Sequence, residues 1–92
     1  MIERITKNEE RLDKIVNCLQ KLEEDLNEFK SLKKDISLVN RYYGSSNWFK
    51  DKEAYERNLL PKIKAGVLTE DAVWDMNDDI KDLLKEMKML AQ

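Results

Sequence analysis

Tyr42-Tyr43-Gly44-Ser45-Ser46-Asn47-Trp48-Phe49, Leu59-Leu60-Pro61 and Gly66-Val67-Leu68-Thr69-Glu70-Asp71-Ala72 are three blocks of one interrupted stretch that decides the fold. Between Tyr42 and Trp74 lie both glycines, the single proline and six of the seven aromatic residues. The chain therefore turns here, and its bulkiest core forms here. Gly44 is a natural left-handed C-cap for a preceding helix, and Ser45 or Ser46 can cap the next one. Pro61 disfavours helix at Leu60. Gly66 marks a turn, and Thr69 is a good N-cap with Glu70 and Asp71 placed to meet the positive end of the following helix dipole.

Outward from that stretch, both flanks carry helical periodicity. Toward the N-terminus the apolar residues are Ile5, Leu12, Ile15, Leu19, Leu22, Leu26, Phe29, Leu32, Ile36, Val39 and Tyr43. From Leu12 to Phe29 they advance in steps of three and four, the heptad seam of a helix that packs on another helix. Asn8 is a polar break in the seam. The two successive steps of three around Phe29 form a stammer-like slip that overwinds the seam locally. Toward the C-terminus, Val73, Met76, Ile80, Leu83, Met87 and Leu90 repeat the pattern.

The expected architecture is all-α within one domain, residues 1–92. A long helix covers about 2–43, a short aromatic-rich helix about 47–58, a connector 59–68, and a last helix about 70–91 returns antiparallel as a helical hairpin with a coiled-coil-like seam. Thr6-Lys7-Asn8-Glu9 matches a capping box and allows a later start for the first helix, but Ile2 and Ile5 favour the earlier one. Trp48, Phe49 and Tyr55 are expected to bury against the end of the long helix. A returning helix of ~22 residues spans only ~33 Å, about half of the ~60 Å first helix. Ile5, Leu12, Ile15 and Leu19 are then left without an intrachain cover, and they are the candidate partner interface.

Composition narrows the function classes. Charged residues at 39% with two Gly and one Pro fit a helix-rich protein rather than a sheet protein. A net charge of −2 gives no global attraction for nucleic acid or an anionic membrane. No segment reaches the ~20 apolar residues of a membrane span, nor does the N-terminus read as a signal peptide. Cys18 is the only cysteine, so a reducing, cytoplasmic compartment is expected. Without histidine, Cys18 has no familiar base partner, and it reads as a small packing residue. Nothing indicates an enzyme, a cofactor or a metal.

Two further features carry candidate sites. Asp71, Asp75, Asp78 and Asp82, with Asp79 beside them, form an acidic helical face that could meet a basic partner or serve as a solvated face pairing with Lys30, Lys33, Lys34 and Arg41. Asp75 to Asp79 with Glu86 imitates part of a calcium loop, but Ile80 stands where that loop requires glycine. The aromatic head could stack on bases or line a small-ligand pocket near Lys50, Lys52, Lys62 and Lys64, although a small three-helix head needs these rings as core.

Tyr42-Tyr43-Gly44-Ser45 with Trp48 behind it, Asp51, Leu60-Pro61, and Gly66 to Ala72 followed by Asp75 resemble a family of short bacterial proteins catalogued only as a domain of unknown function. Met1-Ile2-Glu3-Arg4-Ile5 is similar too, and Thr69 stands where serine is more usual. The resemblance implies bacterial origin and an all-helical fold, and it brings no site residue. The leading expectation is a small interaction protein that forms a homodimer through the first half of its long helix, or meets another helical protein there. An acidic regulator docking its third helix on a basic protein is one alternative, and ligand or nucleic-acid binding at the aromatic head is another.

Overall fold

The computed structural model describes all residues, Met1–Gln92, as helices and their connections, with no strand. In chain order these are α1 (Ile2–Ser31), α2 (Lys33–Tyr42), α3 (Ser46–Glu56), a 3-10 turn (Gly66–Leu68) and α4 (Ala72–Leu90). The chain divides into two compact units, Met1–Asp35 and Ile36–Gln92.

In the first unit, α1 starts at Ile2 without a side-chain cap, so the Thr6 capping box is not used. Thr6 Oγ1 instead donates back to the Ile2 carbonyl at 3.0 Å. The long helix expected over 2–43 is divided at Leu32. There the backbone N–H bonds to the Phe29 carbonyl three residues back, at 3.0 Å, which is a 3-10 rather than an α step. The cause is legible in the seam: two steps of three demand an overwound turn, and the 3-10 geometry supplies it. Ser31 Oγ adds a competing bond to the Glu28 carbonyl at 2.5 Å.

The second unit is built around Trp48. Its buried side chains are Trp48, Leu68 and Val73, from α3, the 3-10 turn and α4. Ile36, Val39 and Tyr43 on one side and Met76 and Ile80 on the other are half-buried. Asn40 and Asn77 exchange side-chain amide hydrogen bonds at 2.7 and 3.2 Å, and the Tyr43 hydroxyl donates to the Glu70 carbonyl at 2.7 Å. From Asn40 forward to Tyr43, the partner residues run backward from Asn77 to Glu70, so these segments lie in opposite directions. Farther along α4, Leu83, Leu84 and Leu90 are exposed.

Turn chemistry explains where the helices stop. Gly44 has φ +77°, and Ser45 caps α3 by accepting the Trp48 N–H at 3.2 Å. At the far end Asn58 also has positive φ, 57°, with Leu59 N–H bonded to Ala54 and Asn58 N–H to Tyr55. That pair of bonds is a Schellman cap, with asparagine in the left-handed place. It ends α3 at Glu56, two residues short of the expected end at about 58. Thr69 Oγ1 accepts the Ala72 N–H at 3.2 Å while donating to Gly66 at 2.7 Å, and α4 begins at Ala72.

The two glycines are therefore not equivalent. Neither has an atom within 4 Å of where a Cβ would stand, but only Gly44 is left-handed. Gly44→Ala should lower stability by about 1–2 kcal/mol from conformation alone, whereas Gly66→Ala should be neutral or stabilising by ~0.4–1 kcal/mol. Urea denaturation of the two variants beside the parent checks the difference.

Candidate functional site

Helical spacing sets Ile5, Leu12, Ile15 and Leu19 in one row along α1. All four are exposed, and α1 buries no residue at all. Leu22, Leu26 and Phe29 continue the row and are 50%, 38% and 41% exposed. Val16 widens the row on one flank. Leucine, isoleucine and phenylalanine thus lie bare along ~36 Å of helix, the kind of apolar stripe that a partner helix covers.

The aromatic head has a different character, because its polar groups are already spent on each other. Trp48 Nε1 donates to the Val67 carbonyl at 2.9 Å, and Tyr43 packs edge-on to the indole at 5.2 Å between centroids. Lys52 Nζ lies 5.0 Å from the Trp48 ring centroid and 3.0 Å from Glu70 Oε1. The Tyr42 hydroxyl donates to Asp51 Oδ2 at 2.6 Å. These bonds fasten the loops to α3.

Three aromatics depart from the expected core. Phe49 touches Trp48 edge-on at 5.0 Å yet is 60% exposed, Trp74 is 61% exposed, and Tyr55 is exposed too. Trp74 directly follows Val73, the seam residue, and so falls on the flank of α4 rather than its buried stripe. The period of the seam carries that signal. Leu68 is the opposite case: assigned to a connector, it is 6% exposed, and only its place in the 3-10 turn brings it under Trp48.

Asp71, Asp75, Asp78, Asp79 and Asp82 are all exposed. The two ion pairs of the chain, Lys52–Glu70 and Arg57–Glu53, involve none of them. No three acidic, cysteine or histidine side chains converge on a point where an ion could sit. Asp71 and Asp75 stand at the start of α4, where negative charge favours the helix dipole. Cys18 is exposed on α1 rather than packed. A shallow cleft of about 450 Å³ lies between the end of α3 and the connector, bordered by Tyr55, Asn58, Leu60, Pro61 and Ile63.

A family model described as Domain of unknown function (DUF4298) matches residues 5–90. The chain belongs to that family. No curated protein and no solved structure matches it. The match runs from the exposed row of α1 to the last residue of α4, so it takes in most of both units. Several of the residues that carry the resemblance acquire physical roles in this DUF4298 chain: Gly44 and Ser45 make the turn, Trp48 fills the head, and Asp51 receives Tyr42. No helix is long and apolar enough to cross a membrane.

The Tyr42–Asp51 bond has a measurable signature. Hydrogen bonding to the Asp51 carboxylate, with burial and its negative charge adding, raises the Tyr42 phenol to about 12 from 10.0. The neutral phenol is the favoured form in the folded chain. Its contribution to stability is present below pH ~10 and lost as pH rises through about 12. Ultraviolet titration of the phenolates should show one tyrosine ionising late, and Asp51→Asn should return it to the ordinary range near ~10.

Proposed function

We propose that this chain is a small cytoplasmic protein-interaction module that self-associates through the first half of α1, with Ile5, Leu12, Ile15 and Leu19 at the interface. The observation that carries the reading is a helix of 30 residues with an apolar row at heptad spacing and no buried side chain. Lone helices are marginal in water even at favourable composition, because nucleation is costly and propagation gains little per residue. Burying a leucine or isoleucine side chain contributes about 1.5–3 kcal/mol. A second helix against the row supplies what α1 lacks, and a second copy is the simplest source, since each copy carries the same uncovered surface.

The head supports this division of labour. Tyr42, Tyr43 and Trp48 are engaged in closing its own turns, whereas the apolar row of α1 has no such internal role. The composition agrees: balanced charge and an apolar row suit a helix-to-helix interface rather than a nucleic-acid surface.

Sedimentation equilibrium over a wide concentration range tests the reading. The parent should approach twice its 11.0 kDa mass as concentration rises. Leu12→Asp with Ile15→Asp should stay at the monomer mass and lose much of the helical circular dichroism of α1. A parent that remains monomeric at every concentration, with the same helicity as the variant, contradicts it.

A further inference from the structure

The orientation of the two copies follows from residues beside the row. With Leu12 at a and Ile15 at d, the a positions of α1 are Ile5, Leu12, Leu19 and Leu26, and the d positions are Asn8, Ile15, Leu22 and Phe29. The flanking g positions then hold Arg4, Arg11, Cys18 and Asp25, and the e positions hold Glu9, Val16, Glu23 and Lys30. Because α1 is unbroken from Ile2 to Ser31, every one of these positions is helical and the assignment holds throughout.

In a parallel, in-register pair each g residue faces the e residue five places on in the other copy. Arg4 then faces Glu9 of the second copy, and Asp25 faces Lys30 of the second copy. Both contacts are attractive, and no like charges meet. Reversing one helix instead sets g against g and e against e. The antiparallel alignment with full overlap matches Arg11 to Asp25 but sets Glu9 against Glu23, and it lays Asn8 on Leu26 of the second copy. Sliding that alignment by one heptad frees Asn8 but leaves Ile5 and Ile2 uncovered.

Asn8 decides between them. Its Nδ2 donates to the Arg4 carbonyl at 2.7 Å, and its Oδ1 accepts from Arg11 at 3.2 Å. An amide has two donors and two acceptor sites, so one of each remains free. Against leucine these would be buried without partners, a costly arrangement. Against Asn8 of the second copy they can satisfy each other, and a polar pair of this kind in a seam fixes register.

We infer that two copies of α1 associate as a parallel, in-register coiled coil, with the Asn8 pair setting the register and the Arg4–Glu9 and Asp25–Lys30 contacts setting the direction. The inference rests on the self-association reading and specifies its geometry. Spin-label distance measurement tests it without disturbing the seam. Nitroxides are placed at the outward-facing f positions, as Glu3→Cys and separately Glu24→Cys, each with Cys18→Ser.

In the parallel pair both labels report the same distance, set by the width of two helices at roughly 20 to 30 Å. Antiparallel pairs separate at least one of the labels along the axis, so they never give two equal short distances. In the full-overlap alignment the Glu3 labels are about 42 Å apart along the axis and the Glu24 labels about 21 Å. Equal short distances support the inference. Unequal distances in a protein that sediments as a dimer overturn it while leaving self-association standing. A monomer showing no dipolar coupling overturns both. Asn8→Leu should tighten association and add longer populations to the Glu3 distribution, and a single unchanged population in that variant removes Asn8 from the register role.

Discussion

An apolar row that its own unit leaves open is the constraint on which the rest of this protein depends. Residues Met1–Asp35 form a unit with heptad leucines and isoleucines and no buried side chain. Such a helix has a strong pattern and no core. On the proposed self-association, its folding is coupled to the second copy that covers it and rises with protein concentration. The charged residues beside the row give that proposed pair a preferred direction.

Residues Ile36–Gln92 solve the opposite problem. Trp48, Leu68 and Val73 provide a small interior, and a ring of specific polar contacts compensates for its size. Each contact locks a turn: Trp48 Nε1 holds the 3-10 turn, the Tyr43 hydroxyl holds the residues before α4, and the Tyr42–Asp51 bond ties the end of α2 to α3. Lys52 joins the ring of Trp48 to Glu70 across the same region. Exposed ion pairs contribute little individually, about 0–1 kcal/mol, so this network matters mainly by fixing one arrangement of loops.

Much of the fold was legible in the sequence because helices write a period. The steps of three and four placed the seams of α1 and α4, Gly44 and Ser45 placed the turn between α2 and α3, and the slip after Phe29 marked the spot where the helix divides at Leu32. What escaped were features set by three-dimensional proximity. Asn58 serves as a left-handed cap although nothing in its neighbourhood resembles a glycine stop. Leu68 becomes core through its place in the 3-10 turn. Ring size points Phe49, Tyr55 and Trp74 to the interior, yet all three are exposed; for Trp74 the offset from the α4 seam is the better guide. The α1 row is visible in the sequence as a candidate surface from Ile5 to Leu19, and the exposed apolar residues of α1 run on to Phe29.

Hydrogen exchange of the backbone amides as a function of protein concentration is the most direct test of the account. If association covers α1, amides from Leu12 to Leu26 should exchange more slowly as concentration rises, while those around Trp48 and Val73 stay at one rate. Amides of α1 that exchange at a rate independent of concentration, in step with those of the head, would contradict it.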